Sequence, residues 1–263
     1  MNSVAVLFLI AAASLHAQVY GRPAILSDVG IEQRMGAQLP LDAPFLDEQG
    51  RPVTLRQYSG KPVILALVYY QCPSLCNLVL NGMVRAVSAL RFTPGKEYEV
   101  VAVSFDPREN VPLARDKKLS YVKQTSRPGS EAGWHFLTGP EASSRALADA
   151  AGFRYRYDPT TNQYAHPSAI LILTPEGRIS RYFYGIDYPA RDVKLGLVEA
   201  SGGKIGSPVD AVQLFCFHYD PTQGKYGLVI INVLRLAGLG TAGALAVFML
   251  LMFRRDAQAR ARV

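Results

Sequence analysis

The amino-acid sequence predicts an α/β domain built on a central, mainly parallel sheet, with an N-terminal hairpin and a C-terminal transmembrane helix. The chain has 263 residues and 49% hydrophobic content, which is enough for one domain with a sizeable core. Runs of apolar, β-branched residues alternate with segments in which apolar residues recur at helical spacing. In addition, residues 236–253 form an uncharged apolar run that is long enough to span a bilayer.

The first half of the domain is predicted to contain a hairpin, two buried strands and two helices. The hairpin covers residues 43–58, where apolar segments flank a turn that contains glycine. The strands cover residues 62–70 and 99–105, and both are rich in branched apolar side chains. One helix follows Cys72, and the next begins after Asn110, whose side chain suits an N-cap position.

The second half is predicted to continue the same alternation of strands and helices. A short strand at 134–137 precedes a helix at 142–151. The strands at 168–173 and 179–184 form a pair, and a last helix covers residues 192–200. A cysteine pair follows the first central strand, and a proline precedes a late strand. This order matches the thioredoxin arrangement.

The N-terminal region is predicted to hold a signal peptide and an arm before the domain begins. The apolar run within residues 1–17 is too short to span a bilayer easily, and it ends near the small residue Ala17. An uncleaved anchor or a buried strand are the alternatives for this run. Proline, glycine and polar residues break every period in residues 18–40, which predicts an arm. The thioredoxin-like domain is then predicted to cover residues 41–203.

The C-terminal region is predicted to attach the domain to a membrane. A juxtamembrane segment at 204–227 leads to a transmembrane helix at 228–253 and a basic tail at 254–263. The tail has four arginines and one aspartate, so the positive-inside rule places it in the cytoplasm. The main domain is therefore expected on the extracytoplasmic, periplasmic side of the cell membrane, in agreement with an export signal.

The charge of the chain does not favour a role in nucleic-acid binding. The formal net charge is +7, and the C-terminal tail supplies about three of these charges. The remaining basic residues are spread along the sequence and form no patch interleaved with aromatic side chains.

The sequence predicts a sulfur site at Cys72 and Cys76. The two residues lie four positions apart where a strand gives way to a helix, so their sulfurs can converge. A thiol at a helix N-terminus has a lowered pKa, and the resulting thiolate serves both metal binding and thiol exchange. The pair can therefore form a disulfide, a metal site, or both in turn.

His166 is the best candidate for a third ligand. Zinc prefers four ligands, whereas two thiolates and one imidazole make a soft, three-coordinate site that suits copper, particularly Cu(I). His166 precedes Pro167 and a predicted strand, and in a thioredoxin-like sheet this loop lies against the cysteine loop. The position beside Pro167 also fits a redox site, so thiol–disulfide chemistry stays open.

Four segments of the sequence resemble a known family. They are Tyr-Tyr-Gln-Cys-Pro-Ser-Leu-Cys at 69–76, Val-Ser-Phe-Asp-Pro at 103–107, Trp-His-Phe-Leu-Thr-Gly at 134–139, and His166 before a strand. These segments are similar to those of the SCO/SenC family, and the resemblance extends over roughly residues 41–197. It implies a thioredoxin-like domain that is tethered to a membrane and binds copper.

The resemblance implies a copper chaperone and leaves an enzymatic role open. By that resemblance, Cys72, Cys76 and His166 hold one copper ion, and the protein serves assembly of the copper centre in subunit II of cytochrome c oxidase. The alternative is a thiol–disulfide oxidoreductase that acts on cysteines of the oxidase subunit or of other exported proteins. In that case Cys72 is the attacking thiolate and Cys76 the resolving thiol. The two roles are compatible, because only the reduced pair can bind copper.

Two further positions carry residue types that suit a soft metal. Cys216 and His218 lie shortly before the predicted transmembrane helix and could form a second copper-binding or copper-passing site. Alternatively, they belong to an aromatic belt at the membrane interface, since tyrosine and phenylalanine surround them. His135 lies within a predicted strand, and we interpret it as structural.

Overall fold

The computed structural model describes residues 27–72, 75–202, 209, 214, 217–228 and 230–260. The signal peptide predicted for residues 1–17 lies outside the described residues, and so does Cys216. His218 is described through its backbone alone, so the second metal site stays a prediction.

Strands and helices alternate along most of the described chain. The strands are β1 (Gly30–Ile31), β2 (Pro44–Leu46), β3 (Pro52–Thr54), β4 (Val63–Val68), β5 (Glu99–Ser104), β6 (Trp134–Leu137), β7 (Phe153–Arg154), β8 (Arg156–Asp158), β9 (Gln163–Ala165), β10 (Ala169–Leu173), β11 (Ile179–Tyr184), β12 (Phe217–Asp220) and β13 (Lys225–Leu228). The α-helices are α1 (Leu75–Ala89), α2 (Val111–Thr125), α3 (Glu141–Ala150), α4 (Ala190–Ala200) and α5 (Ile230–Arg260). Short 3₁₀ turns cover Leu55–Tyr58 and Glu131–Gly133.

The domain is organised around a five-stranded sheet with the order β11-β10-β4-β5-β6. Strands β4, β5 and β6 are parallel to one another, whereas β10 runs antiparallel to both β4 and β11. The sheet is therefore mixed, with parallel pairs on one side of β4 and antiparallel pairs on the other. The predicted α/β class is confirmed, and the predicted N-terminal hairpin is observed as β2–β3.

The core forms where apolar strands meet the helices. Every residue of β4 is buried, as expected for a central strand that has neighbours on both edges. The side chain of Asn110 accepts a hydrogen bond from the backbone N–H of Leu113 and caps α2, as predicted. Helix α1 packs closely against the loop before α4 at Gly82. A Cβ atom at this position would lie 2.1 Å from the carbonyl oxygen of Ile186, so the close approach requires glycine.

Two small ribbons flank the sheet. Strand β1 pairs with β7, so part of the segment predicted as an arm at 18–40 packs against the domain. Strands β8 and β9 form a second ribbon, which ends directly before His166. The boundaries predicted at residues 40 and 203 stay predictions.

The C-terminal part of the described chain consists of a hairpin and a long helix. The hairpin β12–β13 packs on the domain, where the Tyr219 hydroxyl accepts a hydrogen bond of 3.0 Å from the backbone N–H of Tyr182. The hydroxyl of Tyr226 donates to the carboxylate of Glu199. Within α5, Val233–Arg254 is long and apolar enough to cross a membrane, and its most apolar stretch is not buried by the other described residues.

Candidate metal centre

The two cysteines lie where β4 leads into α1. The backbone N–H of Cys72 donates to the carbonyl oxygen of Tyr69, which turns the chain at the end of the strand. Cys76 is the second residue of α1, and its backbone N–H lies 3.3 Å from Cys72 Sγ. Both cysteines are buried, with 4% and 1% of their surface exposed, and neither takes part in a disulfide.

The sheet brings His166 to the same place. Strand β10 begins three residues after His166 and runs antiparallel to β4, with Ile170 opposite Ala66. The start of β10 therefore lies beside the end of β4, and the loop before it faces the cysteine loop. His166 Nε2 lies 3.1 Å from Cys76 Sγ, and the three possible ligand atoms all lie within 4.8 Å of one another.

The orientation of the imidazole ring is set by its other nitrogen. His166 Nδ1 lies 2.8 Å from the carbonyl oxygen of Pro167, and this oxygen can only accept a hydrogen bond. The proton is therefore assigned to Nδ1, which leaves the lone pair of Nε2 directed at the sulfurs. A backbone carbonyl that fixes the tautomer in this way is common behind histidines that bind metals.

The two thiols differ in acidity, because the pKa of Cys72 is lowered and that of Cys76 is raised. A hydrogen bond from the Cys76 thiol lowers the pKa of Cys72, and the backbone N–H of Cys76 and the Tyr69 hydroxyl act in the same direction, whereas burial opposes them. Burial raises the pKa of Cys76, and the negative charge on Cys72 raises it further. Cys72 is therefore the thiolate of the pair, as the sequence predicts for a cysteine at a helix N-terminus.

Aromatic rings surround the imidazole. The ring of Tyr69 meets that of His166 edge to face at 5.8 Å, and the rings of Phe105 and Phe153 lie at 5.4 and 6.3 Å. These apolar walls exclude water from the site and leave 8% of the His166 surface exposed. Interactions among the sulfurs and the imidazole are stronger in such a setting than they are in water.

A buried carboxylate holds the backbone before Cys72. Glu109 accepts hydrogen bonds from the backbone N–H groups of Tyr70 and Gln71 at 2.7 and 2.6 Å. The hydroxyl of Ser104 donates to the same carboxylate at 2.5 Å. Burial raises the pKa of Glu109 in spite of these three donors. Glu109 has no signal in the sequence, because its partners are mainly backbone groups that leave no pattern among side chains.

The donor set fits a soft metal ion. Two sulfurs and one imidazole nitrogen form the one group of at least three histidine, cysteine or acidic side chains that are close enough to share an ion, within the described part of the chain. Soft sulfur ligands select Cu(I) and zinc, and the presence of only three donors favours copper over structural zinc. The structure thus brings together Cys72, Cys76 and His166, whereas their roles as ligands stay a prediction.

Comparison with known proteins gives matches over most of the domain. The profile of the SCO1/SenC family matches residues 34–194. A protein from Stutzerimonas stutzeri, assigned provisionally as copper-binding, is 24% identical over 180 residues, which cover 66% of this chain and 82% of that protein.

Solved structures agree with this result. A protein from Aquifex aeolicus VF5, assigned provisionally to electron transfer, has 27% identity and a TM-score of 0.58, over 65% of this chain and 96% of its own. The structure of BsSco, described as a member of the Sco family of cytochrome c oxidase assembly proteins, has 18% identity and a TM-score of 0.52. That match covers 66% of this chain and 99% of BsSco, and it supports the predicted thioredoxin-like fold.

Proposed function

Because this chain belongs to the SCO1/SenC family, we propose that it is a membrane-tethered copper chaperone that binds one copper ion through Cys72, Cys76 and His166. The observation that carries the proposal is the convergence of two sulfurs and one imidazole nitrogen within 4.8 Å in a buried site. Thiolate and imidazole ligands suit Cu(I), and three donors leave room for an incoming ligand. The similarity to a relative assigned to copper binding supports the same ion.

The residues around the site prepare it for the ion. Glu109 holds the backbone before Cys72, and Pro167 fixes the tautomer in which His166 Nε2 is free to bind. Cys72 is already a thiolate, so binding requires the loss of a proton from Cys76 alone. Copper would leave by ligand exchange, in which thiolates of an acceptor replace those of Cys72 and Cys76.

The proposed location is the extracytoplasmic side of the cell membrane. The apolar stretch Val233–Arg254 is the anchor, and the arginines that follow it favour a cytoplasmic C-terminus. The proposed acceptor is the copper centre of subunit II of cytochrome c oxidase. Family membership and the similarity to BsSco, which is described among oxidase assembly proteins, support this acceptor.

Metal analysis of the full chain in detergent tests the proposal. The reduced protein is expected to bind one equivalent of Cu(I) in competition with a chromogenic chelator, and Cys72→Ser or Cys76→Ser should abolish this binding. Cys216→Ser is the matched control, since it removes a thiol outside the proposed site. A reduced wild-type chain that stays free of copper would contradict the proposal, and a second equivalent lost in Cys216→Ser would locate another site.

A thiol–disulfide oxidoreductase is the second candidate, and the unequal acidity of the two thiols favours it. The Cys72 thiolate would attack one sulfur of a partner disulfide and form a mixed disulfide, which releases the first partner thiolate. Cys76 would then lose its proton and attack Cys72 Sγ of the mixed disulfide, which breaks that bond and releases the second partner thiolate, so that the pair loses two electrons and the partner gains them. In this case His166→Ala should retain reductase activity, whereas Cys72→Ala should abolish it.

A further inference from the structure

A polar cavity of about 490 Å³ opens beside the cysteine loop. Tyr69 and Gln71 form one of its walls, and Asp106, Arg108, Asn162 and Gln163 form the others. Tyr69 connects the cavity with the proposed metal centre, because it lines the cavity and its ring meets that of His166 edge to face. One wall of the cavity is therefore also a wall of the proposed metal centre.

Arg108 is the fixed cation of this cavity. The buried carboxylate of Asp106 accepts hydrogen bonds from Arg108 Nε at 2.8 Å and from Nη2 at 2.7 Å. Arg108 Nη1 donates to Asn162 at 2.6 Å, and the guanidinium group lies 5.0 Å from the ring centre of Tyr157. These contacts hold the cation in one place, while 47% of its side chain stays exposed.

The remaining lining suits an extended peptide. Gln71, Asn162 and Gln163 offer amide groups that can donate to and accept from a peptide backbone. Tyr157 is exposed beside Arg108, and arginine and tyrosine are among the residues that most often dominate the energy of protein interfaces. Because Asp106 is buried behind Arg108, the positive group of the pair is the one that faces a ligand.

We propose that this cavity is the docking port for a segment of a partner protein that bears a cysteine thiolate, and that Arg108 favours anionic groups on their way to Cys72. The inference rests on the proposed function, since a thiolate segment is the group that either receives copper or exchanges a disulfide. Electrostatic attraction by a fixed cation raises the rate at which an anion reaches a site.

Alkylation of Cys72 tests the port without copper and without the natural partner. In the reduced, metal-free full chain, the Cys72 thiolate displaces iodide from iodoacetate, which is anionic, or from iodoacetamide, which is neutral. Mass spectrometry of the Cys72 peptide gives both rates. Their ratio reports attraction of the anion, because a change in the thiolate population affects both reagents equally.

Two opposite charge changes provide the decisive comparison. Arg108→Ala leaves the negative charge of Asp106 in the wall, so the ratio of iodoacetate to iodoacetamide rates should fall about three- to tenfold. Asp106→Asn leaves Arg108 without its counter-charge, so the ratio should rise. Both shifts should shrink as salt is added, because salt screens exposed charges.

Matched controls separate the port from general effects of charge. Arg85→Ala removes an exposed arginine that pairs with Asp187 and lines a different cavity, so the ratio should stay at the wild-type value. Arg108→Lys retains the positive charge and should preserve most of the ratio. If neither Arg108→Ala nor Asp106→Asn changes the ratio, the proposal of a docking port is contradicted, even when the chain binds copper normally. A normal charge effect in a chain that binds no copper would instead refute the chaperone and retain the port.

Discussion

Each end of the central sheet has a histidine and a glutamate, which are buried at one end and half-buried at the other, and the two pairs have different partners. At the end where β4 stops, His166 faces the sulfurs of Cys72 and Cys76. At the opposite end, where β5 begins, His135 Nε2 lies 3.2 Å from the carboxylate of Glu99, which also binds Lys61 at 3.0 Å. The ring of Tyr58 covers His135 at a centroid distance of 4.2 Å.

The glutamates differ in the same way. Burial alone would raise the pKa of Glu99, but hydrogen bonds from His135 and Lys61 outweigh it and lower the pKa. Among the described residues, no such cation contacts Glu109, and burial raises its pKa. At the end of the sheet where β5 begins (the far end), the carboxylate of Glu99 is paired with Lys61 and His135, and this cluster stabilises the fold. At the end with Cys72, Cys76 and His166 (the thiol end), the donor atoms stay available to an ion. The same two residue types, histidine and glutamate, therefore occur in a binding site at one end and in a structural cluster at the other, because their contacts differ.

The largest expected difference between the two ends is in copper affinity. His166→Ala removes one of three proposed ligands, so Cu(I) affinity should fall by at least about 100-fold, or about 2.8 kcal/mol. His135→Ala should leave the affinity unchanged, because the ring lies at the other end of β5. Chelator competition on both variants measures the difference. Equal losses in the two variants would remove the distinction between the ends.

The second expected difference is in the free energy of unfolding, which His135→Ala should lower more than His166→Ala does. His135→Ala deletes a ring that packs on Tyr58 and leaves the partly buried carboxylate of Glu99 with fewer partners. The free energy of unfolding should fall by about 2 kcal/mol. Urea denaturation of the metal-free full chain in detergent, followed by tryptophan fluorescence of the buried Trp134, measures it. A His166→Ala variant that loses more stability than His135→Ala would contradict the structural role of the far end.

Much of this architecture can be predicted from the sequence because it depends on patterns along single elements. The run of apolar residues in β4 and the cap at Asn110 are local signals, and both appear in the structure as predicted. The convergence of His166 on Cys72 needs topology as well, and the thioredoxin arrangement with its late strand beside β4 supplies it.

Other features depend on contacts that leave no periodic signal. The ribbons β8–β9 and β12–β13 have strands of only three or four residues, which are too short for an alternating pattern to be recognised. Glu109 follows a turn in the sequence, and only the fold places its carboxylate under the backbone of the cysteine loop. The role of Arg108 also depends on the fold, because three separate segments of the chain form the cavity that it lines.

The Glu109 carboxylate is expected to keep the backbone before Cys72 rigid. Glu109→Gln replaces one acceptor oxygen with an amide nitrogen, which cannot accept a hydrogen bond. The side chain then loses one of its two bonds from the backbone N–H groups of Tyr70 and Gln71. Hydrogen exchange at these two amides should accelerate about tenfold, equivalent to about 1.4 kcal/mol of local stability. The Glu99→Gln variant is the control, since it alters the other end. Unchanged exchange at Tyr70 would show that the carboxylate does not hold the loop.

The smallest effect should appear as a difference in the response to acid. Because the pKa of Glu99 is lowered from its usual value of 4.5 in the folded state, its contribution to stability is complete above that value and is lost as the pH falls through the folded pKa. The raised pKa of Glu109 has the opposite sign, so its burial costs stability as the pH rises above 4.5. Urea midpoints measured from about pH 6 down to about pH 3 should therefore fall less steeply in Glu99→Gln than in the wild type, and more steeply in Glu109→Gln. Parallel curves for the three proteins would mean that the two carboxylates titrate alike in the folded and unfolded chains, and the electrostatic contrast between the ends of the sheet would then be lost.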